Sequence, residues 1–203
     1  MNKFRRKAII LTAVVLLFLS FGMVKDKLQL RDNMIRLHVI ADSNAEEDQY
    51  IKLKVRDAVL MVLQTAMEDS SDVYMAKDYI AKNIPQLEAA ANQVLEDAGF
   101  SQRARVSLVT EEYPCREYDT FSLPSGVYQS LKVEIGSAEG KNWWCVVFPT
   151  LCKPATVDAF REESESTGIS KSLSNTLCAD GKYKIRFFLL DCIGKIENFF
   201  HFG

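Results

Sequence analysis

The sequence predicts an α+β domain behind an N-terminal apolar segment. Three observations carry this reading. Apolar residues alternate over residues 35–39, recur every three or four residues from about 46 to 98, and alternate again from about 104 to 148. The expected order is an N-terminal strand, two to three helices, a mainly antiparallel sheet and a short C-terminal helix.

The N-terminus comes first. Lys3, Arg5, Arg6 and Lys7 precede the run AIILTAVVLLFLSFGMV, residues 8–24, which carries no charge. As a helix it would span ~25 Å at 1.5 Å per residue, short of the ~30 Å hydrocarbon core. Basic residues ahead of such a run favour a cytoplasmic N-terminus, so the remainder is expected outside the cytoplasm. Ser20, Phe21 and Gly22 offer the small-residue spacing that a signal peptidase reads. Residues 1–24 are therefore read as a signal peptide or membrane anchor, with cleavage favoured by the short span. A buried core helix fits less well, because the run has no polar face. Residues 33–203 are read as a single exported domain. Loss of the leader's cations would leave that domain more acidic than the chain's formal −2.

Next, Ile35, Leu37 and Val39 alternate with Arg36 and His38, the pattern of a strand with one apolar face. Ser43 and Glu46 have capping-box spacing ahead of a helix running to about Glu68. Ile51, Val55, Val59 and Val62 form its apolar stripe. Asp69 to Asp72 break the chain and supply N-caps. A second helix covers Val73 to about Asn83. Pro85 suits the first turn of a third helix, or a kink in a continuous one, and Gly99 suits the helix end.

From Gln102 the segments read as an antiparallel meander. Strands are expected around Val106 and Leu108, over Tyr118 to Leu123, over Val127 to Ile135, and over Trp143 to Phe148, where Pro149 stops the last. Residues 153–181 are polar and Ser-rich, and are read as an insertion, mobile over Lys153 to Ser170 apart from a short helical piece. Tyr183, Ile185 and Phe187 alternate with Lys184 and Arg186 and predict a final strand over Lys182 to Leu189. Asp191 would then cap a last helix with Ile193, Ile196 and Phe200 on one side.

The chain has 203 residues, 48% hydrophobic and 26% charged, which suits a folded domain with a full core. Near-balanced charge without a basic stripe argues against nucleic-acid binding. Gly-rich phosphate loops, G-x-S-x-G elbows, H-E-x-x-H helices and EF-hand loops are all missing, so no cofactor, metal or catalytic group is expected. The acidic stretch Asp42 to Asp48 is better explained by helix capping than by calcium.

Five cysteines occur: Cys115, Cys145, Cys152, Cys178 and Cys192. An oxidising compartment favours a Cys145–Cys152 disulfide over two buried thiols, with Pro149 and Thr150 placed where the chain would reverse. The other three allow no assignment. Trp143 and Trp144 are adjacent, so a strand sends them to opposite faces. Arg36, His38, Asn142 and Trp144 are the candidate partner-binding residues. A satisfied structural histidine is the simpler reading of His38, and burial of both tryptophans the simpler reading of that pair.

Two blocks carry family character: IRLHVIADSNAEEDQYIKLKVRDAVL, residues 35–60, and LPSGVYQSLKVEIGSAEGKNWWCVVFPTLC, residues 123–152. Together they resemble the stage II sporulation protein R family of endospore-forming bacteria. The Asp42-Ser43-Asn44 order departs from the Asn-Ser-Asp order of that family, so no role is carried over to those side chains. The resemblance implies a non-enzymatic signal made in the forespore and exported into the space between forespore and mother cell. Its implied partner is a membrane-embedded aspartic protease of the mother cell, which cuts the precursor of the early mother-cell sigma factor. Contact with the membrane is expected through the N-terminal segment. The competing readings are an exported thiol-dependent or cell-wall-acting hydrolase, and a structural septal protein.

Overall fold

The computed structural model describes residues 7, 10–11, 22–68, 70, 72–151, 156–178 and 184–202. Helix α1 covers residues 22–32 and leads into β1 (Ile35–Ile40). Helices α2 (Glu46–Glu68) and α3 (Val73–Asp97) follow. Then come β2 (Ala104–Tyr113), β3 (Arg116–Glu117), β4 (Ser122–Leu123), β5 (Gly126–Ile135) and β6 (Asn142–Phe148). The chain closes with α4 (Val157–Ser166), α5 (Lys171–Leu177) and α6 (Lys184–Phe202).

Four strands form one sheet in the order β2-β5-β1-β6. β1 runs parallel to β5 and antiparallel to β6, while β2 and β5 are antiparallel. The parallel pairing requires a long crossover, and α2, α3 and β2 supply it. The sheet is therefore mixed but mainly antiparallel, as expected.

Period two in β1 sends Leu37 and Val39 to one face, where α2 and α3 cover them. Ile51, Val55, Val59 and Leu63 of α2 and Ile80, Leu87, Ala91 and Leu95 of α3 meet Leu131, Val133 and Val106 there. Asp72 caps α3, accepting from the Tyr74 and Met75 amides at 2.8 and 3.0 Å. Pro85 lies inside α3, which continues through it. An interior proline removes a helix bond and costs ~3 kcal/mol, and the buried stripe on both sides of it offsets that. Gly99, at φ +77°, ends the helix as expected. Ser43 does not make the predicted capping box. Its hydroxyl accepts from the Ala45 amide and donates to the Asp48 carboxylate.

The opposite face carries a second core. Leu30 and Met34 enter it from α1 and the chain after it, and Phe121 and Leu123 from the β3–β4 region. Phe160, Leu173, Leu177 and Leu190 come from α4, α5 and α6. Phe121 stacks on Phe160 with centroids 4.6 Å apart. The stretch read as a polar insertion is thus, over its described part 156–178, two capped helices built into a core. Its serines work locally: Ser170 caps α5, and Ser164 and Ser174 pair at 2.8 Å. A polar composition concealed a few fully buried apolar residues.

The final strand is a correction. Residues 184–202 are helical from end to end. Three alternating pairs fit a helix as well as a strand, because Phe187 and Leu190 fall on one helical face, towards the second core. Asp191 is then an interior residue of α6 and not its cap.

Candidate functional site

The four partner-binding candidates all belong to the sheet face opposite α2 and α3. Register explains this: Arg36 lies beside Ser130 and Val146, and His38 beside Lys132 and Trp144. His38 touches two of the other three directly. Its Nε2 lies 2.9 Å from Asn142 Oδ1, and its ring stacks on Trp144 at 5.5 Å. Its Nδ1 lies 3.1 Å from both oxygens of Glu111. Two acceptors therefore face two ring nitrogens. The doubly protonated ring satisfies both; the neutral ring does so if the Asn142 amide turns over.

Burial alone would push the Glu111 carboxyl up. Hydrogen bonds from His38 and Ser130, with the nearby His38 and Lys132 charges, hold it below its ordinary range. Tyr113 is fully buried beside this pair, its hydroxyl 2.7 Å from Ser130 Oγ. Burial drives its ionisation well above the ordinary tyrosine value.

Arg36 has no exposed surface, so it is no direct partner contact. Its guanidinium lies 3.8 Å above the Tyr113 ring and 5.0 Å from that of Tyr128. One nitrogen donates to the Tyr118 hydroxyl at 2.9 Å, while Nε and Nη1 are buried without a partner. Arg116, which the sequence reading did not single out, lies 3.5 Å above the Trp144 ring. Trp144 is thus sandwiched between a histidine and an arginine. Trp143 points the other way and lies under Arg56 at 4.3 Å. Trp143 is exposed, while Trp144 is partly buried against the second core, and each has a cation over its face.

Cys145 is disulfide-bonded. Its expected partner, Cys152, lies outside the described residues. Cys115, Cys178 and Cys192 form no disulfide. Burial, followed by the Asp191 and Glu117 charges, pushes the Cys115 thiol up, the reverse of what an attacking thiolate needs. Among the described residues, no group of His, Cys, Asp and Glu is placed to hold a metal ion.

Asp42 has a structural role. It accepts from the Ser137 amide at 2.6 Å, the Ser137 hydroxyl at 2.8 Å and Gln102 at 3.1 Å. The two Ser137 bonds, then that from Gln102, hold its carboxyl below the usual range. Gly136, at φ +58°, lies so close that a Cβ there would meet the Asp42 carboxylate. This clasp joins the end of β1 to the β5–β6 turn, next to Asn142.

The family model described as stage II sporulation protein R matches residues 31–158. The chain belongs to that family. A relative named Stage II sporulation protein R, from Bacillus subtilis (strain 168), is 27% identical over 186 residues, covering 85% of this chain and 83% of its own. No solved structure matches. The family match takes in β1 to β6 and the first residues of α4, so it spans the whole cluster around His38. The same cluster in this family member includes Glu111, Tyr113, Arg116 and Tyr118, which the sequence reading missed. The only signal for them was the Glu111/Tyr113 alternation in β2.

Proposed function

We propose that this protein is an extracytoplasmic sporulation signal that activates a membrane-embedded aspartic protease, leading to processing of the early mother-cell sigma factor precursor. Membership of the stage II sporulation protein R family is the observation that carries this reading. The charge-neutral leader run behind four cations supports export from the forespore into the intermembrane space, secreted or anchored. The exposed rim of the His38 cluster supplies a contact surface: Asn142 and the Trp144–Arg116 stack lie at its edge, braced by buried Arg36 and half-buried Glu111. Aromatic and arginine side chains held rigidly in this way are typical binding anchors.

Activation of this kind needs only preferential binding to the active protease conformation. Moving a 1:99 population to 99:1 takes ~5.5 kcal/mol of differential affinity. The test adds the purified chain to membranes containing the protease and its precursor substrate, and follows precursor cleavage. Cleavage is expected to rise with the wild type and to fall back with Trp144→Ala or Asn142→Ala, while Tyr74→Ala on the far helical face keeps full effect. Unchanged cleavage with folded wild-type protein would overturn direct activation. A hydrolase would instead lose activity on replacement of a thiol, and the raised Cys115 thiol does not favour that chemistry.

A further inference from the structure

Helix α6 is mounted with its apolar face outwards. Ile185, Phe188, Leu189, Cys192, Ile196, Phe199 and Phe200 recur at three- and four-residue steps and form one stripe along it. Ile185, Phe199 and Phe200 are 79%, 72% and 79% exposed, and Phe188 and Ile196 are exposed as well. The inward face is where α6 carries its polar anchors. Asp191 accepts from the Ser125 amide at 2.8 Å and from its hydroxyl at 2.7 Å. Asn198 donates to the Tyr113 carbonyl at 3.3 Å. Gly194 presses so closely on the Ser125 carbonyl that no side chain fits. From α1, Asp26 binds Arg186 at 2.6 Å and Lys27 lies 3.5 Å from Glu197. These contacts fix the rotation of α6. The outward stripe is therefore built in, and an apolar patch of this extent marks a docking surface.

We infer that this stripe rests on a lipid bilayer surface, giving the domain a membrane contact separate from its N-terminal run. Continuity of the chain argues for lipid. Val24 and Leu28 of α1 are exposed and share an apolar groove with Ile193 and Ile196 of α6. Val24 is also the last residue of the uncharged run, so wherever that run enters a bilayer, the groove and stripe arrive beside the same surface. Lys184 and Lys195 border the stripe on one side and Arg186 on the other; Lys195 is paired with Asp191 and Arg186 with Asp26. Phenylalanine and leucine on one face with cations at its borders is the pattern of an interfacial helix. Among the described residues no helix is long and apolar enough to cross a membrane, so α6 lies on the surface. If the leader is cleaved, this contact would hold the signal at the membrane where a membrane-embedded target resides.

The full chain, reconstituted into phosphatidylcholine–phosphatidylglycerol vesicles and recovered by flotation, tests this. A fluorescent amino acid replaces Phe199 in one preparation and Tyr74, on the helical layer across the sheet, in another. Brominated phosphatidylcholine should quench the probe at 199 and leave that at 74 unaffected. Ile185→Ser with Phe188→Ser should abolish the quenching at 199, with helical content by circular dichroism unchanged, since both side chains point away from the core. Equal quenching at the two positions would overturn the inference. So would a shielded but unquenched probe at 199, which would mean that a second copy or a protein partner covers the stripe.

Discussion

Arg36 is an expensive residue to keep. It is a buried cation with two unpartnered nitrogens and, among the described residues, no carboxylate within bridging distance. What holds it is stacking on Tyr113 and Tyr128 and one bond to Tyr118. If shape and stacking dominate, Arg36→Met should remain within about 1.5 kcal/mol of wild type, whereas Arg36→Ala should lose about 3 kcal/mol by opening a cavity. Denaturant midpoints check this; equal losses would show that the charge itself organises the cluster. Glu111 gives a pH prediction. Its carboxyl titrates below its unfolded value, so its contribution is complete above about pH 4.5 and is lost as pH falls through the lower folded value. Thermal melts between pH 3 and 7 should show Glu111→Gln about 1–2 kcal/mol less stable at neutral pH and nearly equal to wild type at the acid end. The sequence showed half of this cluster. His38, Asn142 and Trp144 could be grouped because alternation and the doublet placed them. Glu111, Tyr113 and Arg116 could not, because only the register of β2 against β5 and the turn after β2 bring them to His38.

Elements were legible where one period ran long. α2 and the long strands followed their patterns, although β6 pairs with β1 and not β5, and of the strand expected over Tyr118 to Leu123 only Ser122–Leu123 forms. α3 runs through Pro85, because burial on both sides of the proline outweighs its local cost. α6 was half misread, because Tyr183 to Phe187 is too short to separate periods of 2 and 3.6. Its orientation was invisible from sequence. An amphipathic helix is expected to turn its most apolar face inwards. Here the inward face carries Leu190 and Phe187 together with polar groups held by Ser125, Tyr113 and Lys27, and the longer apolar stripe stays outside. Gly194 is the point on which that mounting depends. A Cβ there would sit 1.6 Å from the Ser125 carbonyl oxygen, so Gly194→Ala must push α6 away from the β4–β5 turn. A loss of about 1–3 kcal/mol is expected, with faster amide exchange in α6 than in α2 or α3. Uniform exchange across all three would show that the turn yields and the helix does not.

At the scale of the molecule, one sheet separates two cores of different ancestry in the sequence. The core under α2 and α3 is made of long periodic elements and was readable. The second is assembled from distant pieces: Leu30 and Met34 before the first strand, Phe121 and Leu123 between strands, and Phe160, Leu173, Leu177 and Leu190 after the last. No window of sequence contains it, which is why residues 153–181 looked like an insertion. The two descriptions differ in consequence. An insertion can be removed at small cost, since lengthening or shortening a surface loop changes closure entropy only slowly. A core wall cannot. Ending the chain after residue 158, where the family match stops, would bare Met34, Phe121, Leu123, Tyr128 and Val146 on the sheet and leave Arg36 and its tyrosines open to water. Such a chain should lose its cooperative thermal transition and bind a hydrophobic dye. Phe160→Ala, a milder cut at the same wall, should cost about 3–5 kcal/mol yet keep α2 and α3 protected in amide exchange. A truncated chain that melts sharply near the wild-type temperature would restore the insertion reading and make the first core alone the folding unit.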